Sequence, residues 1–323
     1  MAESERIEVT RHRRPQDNPC TLAHRGRPES ISLIVSSYNQ PRSLALVLDA
    51  LTRQSWRADE IIIADDGSRP PTFAAIERFA AHPALPPIRV LTQPDEGFRK
   101  TVALNGAILA SRGQQLLFLD GDVIPSPDWI ERHRASYRPM GYAVGDYVRL
   151  DRRDSLDLYA LRADGDRLDD RRATLVAAQR RYLFKRAARA RFHMLCRKTM
   201  RPRLLGGNFS VDRGLLFGVN GFDERFVGCG GEDSNLRNRL NRYGGRPSSL
   251  IRSAVGLHLS PGLDDPQAAR NRISYLDSPL RHEPPTRRAR TGLAERLSGG
   301  RGMPEQPAPE AAPGVRGRLP DPA

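Results

Sequence analysis

The stretch Gln115-Leu116-Leu117-Phe118-Leu119-Asp120-Gly121-Asp122 constrains this chain more than any other. Its apolar run is too short for a helix and ends in a glycine between two aspartates, so it reads as a buried strand that stops abruptly in an acidic turn. Two carboxylates at i and i+2 repel each other. At the C-terminal end of a central strand they need a compensating positive charge, and a divalent cation is the usual one. A solvated acidic loop is the plainer alternative for those eight residues alone.

The residues upstream repeat the same arrangement. Ile31 to Asn39 is a β-branched run with a polar end, followed by Pro41 and by Leu44, Val47, Leu48 and Leu51 at helical spacing. Glu60 to Ala64 runs into Asp65-Asp66-Gly67-Ser68 and a helical segment from Thr72 to Ala81. Ile88 to Leu91 leads through Asp95 to Arg99 into a helix carrying Val102, Leu104, Ala107 and Ile108. Buried strands alternating with helices predict an α/β fold with a doubly wound parallel sheet, whose ligands sit beyond the carboxyl ends of the strands. Asn39, Asp65-Asp66 and Asp120-Asp122 all fall at such ends.

The second half is less regular. Tyr142 to Leu150 predicts one strand, and Ala173 to Met200 one long helix with many arginines and no acidic residue. A solvated basic face is the simple reading of that helix, and a surface for anionic lipid or a charged acceptor the sharper one. A second dense stretch follows, from Leu205-Gly206-Gly207-Asn208 through Asn220-Gly221-Phe222 to Gly230-Gly231-Glu232-Asp233. Clustered glycines mean tight turns or backbone lying close to something bulky. Glu232 and Asp233 open a helix, where acidic residues also favour the helix dipole.

Residues 31 to 131 resemble the nucleotide-sugar-binding half of family 2 glycosyltransferases of the GT-A fold, through Ile34 to Asn39, Glu60 to Ser68 and the Asp120-Gly121-Asp122 turn. Residues 205 to 240 resemble the galactosyltransferase-type module of chondroitin-polymerase-like enzymes, through Gly206-Gly207-Asn208-Phe209-Ser210, Val219 to Glu224 and the Gly228 to Asp233 segment. The resemblance implies a GT-A (Rossmann-like), mostly parallel sheet flanked by helices, with an acceptor-side α+β extension. It implies a metal-dependent, inverting transfer of a hexose or N-acetylhexosamine from a nucleotide sugar, UDP foremost, to a glycan, a lipid-linked glycan or another hydroxyl acceptor.

Site roles follow from the resemblance position by position. Asp122 and Asp120 match the carboxylates of the metal turn, Asp120 being nearer the ribose, and His258 stands about where such enzymes place a further metal-ligating histidine. Asp65 and Asp66 match the base and ribose contacts, and Arg99 the arginine near the diphosphate. Asp233 is expected to be the catalytic base, with Glu232 orienting the acceptor, although the order of the pair could be the reverse. The implied cofactor is Mn²⁺ or Mg²⁺. Cys229 stands where the family commonly has an acceptor-stacking tryptophan, so acceptor identity does not carry over, and Cys229 itself reads as small filler.

Charge and length set the remaining expectations. The 323 residues carry a net charge of +14, nearly all from arginine, with lysine only at Lys100, Lys185 and Lys198. A general compositional bias, with arginine in place of lysine nearly everywhere, is the favoured explanation over a polyanion partner, and no nucleic-acid partner is expected. Three unpaired cysteines imply neither a disulfide framework nor a zinc knuckle. No apolar run is long enough to span a bilayer, so a cytoplasmic protein is expected, with peripheral contact to an anionic membrane as an option. Expected divisions are an N-terminal arm without structure at 1–29, a donor half at 30–150, a helical insert with the galactosyltransferase-type half at 151–265, and a mostly disordered Arg/Pro-rich tail at 266–323. Two other readings compete: a polyanion- or membrane-binding protein on a degenerate transferase scaffold, and a nucleotidyltransferase. The second lacks a glycine-rich phosphate loop after the first strand.

Overall fold

Ile31–Ser37 is buried at every position and forms the strand β1 on which the sheet is built. The computed structural model describes residues 27–162, 164–196, 202–228, 230–261, 263–264, 280, 283, 286–298 and 305–306. Within them β1 is followed by α1 (Pro41–Thr52), β2 (Glu60–Asp65), α2 (Pro70–Ala80), β3 (Ile88–Thr92), α3 (Lys100–Ala110) and β4 (Gln115–Asp120). Pro41 and Pro70 each open their helix, where a missing N–H costs nothing. Strands β3, β2, β1 and β4 lie side by side and parallel, as expected of repeated strand–helix units. The chain moves outward from β1 to β3 and then returns to the other side of β1 to lay down β4. The crevice at that reversal is where an open α/β sheet takes its ligand.

The second half completes the sheet differently. It runs β5 (Val123–Ile124), α4 (Trp129–Ala135), β6 (Gly141–Val144), β7 (Asp146–Arg149), α5 (Arg152–Ala160), α6 (Gly165–Ala178) and α7 (Arg180–Leu195). Then come β8 (Asn208–Asp212), α8 (Arg213–Gly218), α9 (Glu232–Tyr243), β9 (Arg246–Ser249), β10 (Val255–His258), α10 (Leu293–Ser298) and β11 (Glu305–Gln306). The large sheet has the order β11-β3-β2-β1-β4-β8-β6-β9, with β8 antiparallel to β4 and β6. A small sheet, β5-β10-β7, crosses the acidic end of β4. This is the mostly parallel sheet flanked by helices, with an antiparallel extension.

Two elements differ from the sequence expectation. The strand expected over Tyr142 to Leu150 is two strands in two sheets, divided at Gly145. A Cβ on Gly145 would lie 2.5 Å from the Ala254 carbonyl oxygen and closer still to Asn208 Oδ1, so only glycine lets the chain change sheets there. The long helix expected from Ala173 is the pair α6 and α7, broken at Gln179.

Part of the expected C-terminal tail is structured as well. Leu293, 2% exposed, packs with Leu104 and Phe222, while Glu295 accepts from Asn220 Nδ2 and the Gly292 amide. Together with buried Ala289, backbone hydrogen bonds to Val219, Asn220 and Glu224 and an Arg296–Glu224 ion pair, these contacts hold a segment whose composition reads as linker. The arm at 1–29 lies almost wholly outside the described residues, as do Cys20 and Cys229.

Two apolar layers enclose the large sheet. One joins β1 and β2 to α1 and to Trp129, Leu183 and Leu257; the other joins β4 and β8 to α3, Leu236 and Leu240. Beneath the acidic end, Asn208 is completely buried and serves as a cross-brace. It accepts from Trp129 Nε1 at 2.9 Å and donates to the carbonyls of Asp146 and Ala254. Asn105 has the same kind of architectural task, donating to Phe222 O and accepting from Phe222 N.

Candidate active site

Strand register determines which polar tips meet. Ser36 of β1 lies opposite Asp120 of β4, and Ser37 opposite Asp65 of β2. In the small sheet His258 pairs with Val123 on one side and with Arg149 on the other, so the imidazole arrives beside Asp122. A cleft of about 240 Å³ opens at this end. Of the eight residues singled out in the sequence, Asp66, Asp120, Asp122, Glu232, Asp233 and His258 line it.

Asp65 and Arg99 stand off the lining. Asp65 is fully buried and folds back on its own turn, accepting from the Gly67 and Ser68 amides and from Thr92 Oγ1. It shapes the loop that presents Asp66. Arg99 turns its guanidinium to Glu96, and its backbone N–H donates to Asp66 Oδ2 at 2.8 Å. The other Asp66 oxygen accepts from Gln93 Nε2. Burial pushes the Asp66 carboxyl up to about 6, against those hydrogen bonds.

The centre of the cleft is an acidic cluster with one internal cation. Asp120 Oδ1 accepts from Ser36 Oγ at 2.6 Å and from Lys100 Nζ. Burial works to raise the Asp120 carboxyl, but the Lys100 ammonium outweighs it and holds the group below the usual carboxylate range. Burial likewise works to lower Lys100, and the charges of Asp120, Asp233 and Glu232 overcome it and raise the ammonium well above its ordinary value. Burial lifts Glu232, and one of its oxygens, Oε2, is buried without a hydrogen-bond partner. Asp233 is pushed up to about 8, by burial first and then by Glu232 beside it. Two carboxyls sharing one pocket cannot both ionise cheaply.

The glycine-rich stretch now has a physical reason. A Cβ on Gly206 would collide with the Asp233 carboxylate, and one on Gly207 with that of Asp120. The Gly206 amide also donates to Asp233 Oδ2 at 3.0 Å. Bare backbone at these two positions lets carboxylates from β4 and α9 approach the cleft from opposite sides.

Asp122 and His258 face each other across the β5–β10 ladder, Oδ2 to Nε2 at 3.4 Å, and the imidazole packs against the Tyr147 ring with centroids 4.8 Å apart. Among the described residues no three His, Cys, Asp or Glu side chains form a complete cage for a cation. The pair of Asp122 and His258, one carboxylate and one imidazole open on one side, fits a divalent ion whose remaining positions are filled by a ligand's oxygens.

Lining residues that sequence reasoning missed are Ser36, Lys100, Tyr147, Arg149 and Arg203. Lys100 had one available signal: it is a lysine in a chain that otherwise uses arginine almost everywhere. A compact ammonium fits between carboxylates where a planar guanidinium would not.

Residues 32–196, roughly half of the chain, match the model for glycosyl transferase family 2. The chain belongs to glycosyltransferase family 2. Residues 189–254 of the transferase also match the N-terminal domain of galactosyltransferase. Chondroitin synthase of Escherichia coli is 26% identical over 253 residues, which cover 72% of this transferase and 35% of the relative. Validoxylamine A glucosyltransferase of Streptomyces hygroscopicus subsp. jinggangensis is 27% identical over 247 residues, 70% of this chain and 54% of the relative. The transferase thus spans between about a third and a half of the length of these curated relatives.

Among solved structures, a mannosyltransferase from Pyrobaculum calidifontis in complex with GDP-Man and Mn²⁺ superposes with a TM-score of 0.50 at 22% identity, covering 72% of this chain and 56% of that one. It shares the GT-A fold. Membership in the family displaces the nucleotidyltransferase reading of the sequence. Among the described residues no helix is long and apolar enough to cross a membrane.

Proposed function

We propose that this glycosyltransferase moves a hexose or N-acetylhexosamine from a nucleotide sugar to a hydroxyl of a glycan or lipid-linked glycan, with inversion at the anomeric carbon. The observation that carries the reading is the gathering of Asp120, Asp122, Glu232, Asp233, His258 and Lys100 around one cleft at the sheet's switch point.

In this reading Asp66 takes the nucleoside end of the donor, where its carboxylate accepts from the base or ribose. Asp65 supports that loop from behind, and Arg99 orients Asp66 through its backbone N–H. Asp122 and His258, with the free oxygen of Asp120, would hold a divalent cation, which supplies Lewis acidity to the donor diphosphate when bound. Lys100 lies where a diphosphate would gain a second positive charge. Its ammonium also keeps Asp120 ionised, as a ligand must be.

The chemical step is a single displacement. The acceptor oxygen bonds to the anomeric carbon as the bond from that carbon to the diphosphate oxygen breaks. The hydroxyl proton passes to the Asp233 carboxylate, and the nucleoside diphosphate leaves with the bonding electrons. Glu232 is suited to orient the acceptor hydroxyl through its unpartnered oxygen. A base at Asp233 works only when ionised, and occupation of the cleft by cationic partners favours that form.

UDP is the expected nucleotide on the resemblance of the sequence, while the Pyrobaculum structure holds GDP-Man. The deciding experiment is thermal stability against UDP, GDP and dTDP, each with and without Mn²⁺. A ligand at about a hundred times its dissociation constant stabilises by about 2.7 kcal/mol. Stabilisation by one nucleotide only when Mn²⁺ is present supports both donor class and cation. No shift with any of the three overturns the reading.

A further inference from the structure

Helix α7 has two faces of different character. Its sixteen residues include five arginines and one lysine and no acidic residue. At about 100° per residue, Leu183, Arg186, Ala187, Ala190, His193 and Met194 fall within one arc of roughly 120°. Leu183 and Ala190 of that arc join the core layer around β1. Arg186 ties the helix down, its Nε 2.9 Å from Oδ2 of the fully buried Asp146. Asp146 immediately precedes Tyr147, which lines the cleft.

The opposite arc, roughly 200° wide, is exposed throughout. Along its middle run Phe184, Phe192 and Leu195, which are 55%, 58% and 76% exposed. Arg180 and Arg191 lie on one side of that strip and Lys185 and Arg189 on the other, with Arg181 between. Arg180, Arg181, Lys185 and Arg252 also surround Phe184 in an open hollow of about 620 Å³, with the Arg252 guanidinium 5.2 Å from the ring centroid. An apolar strip bordered by cations, with no acidic residue on the helix to neutralise them, leaves unbalanced charge and uncovered apolar surface on one face.

We propose that the outward face of α7 docks on an anionic lipid bilayer. Phe184, Phe192 and Leu195 enter the boundary between headgroups and acyl chains, and the flanking cations pair with lipid phosphates. The hollow around Phe184 receives headgroup phosphate. A dissolved polyanion would satisfy the cations but leave Leu195 and the two phenylalanines in water, so the apolar strip is what selects a membrane. Arg186 on the inward face of the same helix pairs with Asp146, next to Tyr147, so docking holds the cleft near the bilayer where lipid-linked hydroxyl acceptors reside. The inference stands whichever nucleotide sugar is used.

The test is co-sedimentation of the full chain with phosphatidylcholine vesicles, with and without phosphatidylglycerol, at low and high salt. Binding is expected only with phosphatidylglycerol and is expected to weaken with salt. Arg181→Gln/Lys185→Gln should weaken it about 25-fold, about fivefold for each charge. Phe184→Ser/Phe192→Ser/Leu195→Ser should weaken it by about tenfold or more while leaving retention on heparin unchanged. All the substituted side chains are exposed, and unchanged melting temperature and unchanged nucleotide stabilisation show that the variants remain folded. Absence of phosphatidylglycerol dependence at low salt overturns the proposal. So does a triple apolar variant that binds vesicles as the wild type does, because the surface then answers to charge alone.

Discussion

His258 Nε2 stands 3.4 Å from Asp122 Oδ2, brought there by the antiparallel pairing of β10 with β5. Neither residue alone offers a cation more than one side-chain ligand. Asp122→Asn and His258→Ala are therefore each expected to abolish the Mn²⁺-dependent part of nucleotide stabilisation, a loss of about 2.7 kcal/mol under conditions where the wild type is saturated a hundredfold. Melting curves with UDP and Mn²⁺ check this without any turnover. Retention of the full shift by either variant would remove that residue from the cation site.

Asp233→Asn keeps the shape of the side chain and an oxygen for the Gly206 amide but cannot take a proton. Transfer is expected to fall by about 10²- to 10⁴-fold while nucleotide stabilisation stays within error. Rate measurements with the nucleotide sugar identified by melting provide the check. A variant as active as wild type would pass the base role to Glu232 or to neither.

The same carboxyl predicts a pH dependence. Asp233 is raised from 3.8 to about 8, so its contribution to stability is complete below 3.8 and is lost as pH rises through about 8. Activity runs the other way, since only the ionised form is a base. kcat/KM is expected to climb with pH towards about 8 while the melting temperature of Asp233→Asn improves relative to wild type over the same interval. Parallel pH series of both quantities test it, and a flat stability difference would mean that Asp233 is ionised throughout.

Lys100 lowers the Asp233 carboxyl and is the cation bonded to Asp120. Lys100→Met should move the alkaline rise of kcat/KM to higher pH and weaken binding of the nucleoside diphosphate. Lys100→Arg should restore charge but not fit, leaving diphosphate binding weaker than wild type. An unmoved pH profile in Lys100→Met would show that the ammonium does not act on Asp233.

Gly145→Ala tests the change of sheets between β6 and β7. Its new methyl meets Asn208 and the Ala254 carbonyl, neither of which can retreat without breaking the brace under the cleft. A loss of about 1–3 kcal/mol is expected, read as a lower denaturant midpoint with an unchanged slope. An unchanged midpoint would mean that the junction is loose.

The acidic turn shows how far sequence reading reaches. Asp120 and Asp122 were legible because two carboxylates at the end of a buried strand call for a compensating charge, and the neighbouring motifs favoured a site over a solvated loop. Glu232 and Asp233 were legible because their glycine-rich approach needed a bulky neighbour. That neighbour is now identified as the carboxylates themselves, packed on Gly206 and Gly207. Lys100 was not read, because on an otherwise apolar helix a lysine next to the N-cap looks like a solvent-facing residue. Asp65 and Arg99 matched a motif, yet one folds into its own turn and the other pairs with Glu96, choices made by local hydrogen bonds that a motif does not contain.

By itself the sequence determined the strand and helix alternation from Ile31 to Ile130, the parallel sheet, the polar strand tips and the family. All of these follow from periodicity and short motifs that act over a few residues. Only the tertiary structure decided that His258 meets Asp122, that Lys100 reaches Asp120, that Gly145 divides one apparent strand between two sheets, and that α7 turns its aromatic and cationic side outward. Those outcomes depend on register between strands far apart in the chain and on which helix face finds a core. Packing of the whole molecule sets both, and no local pattern encodes them.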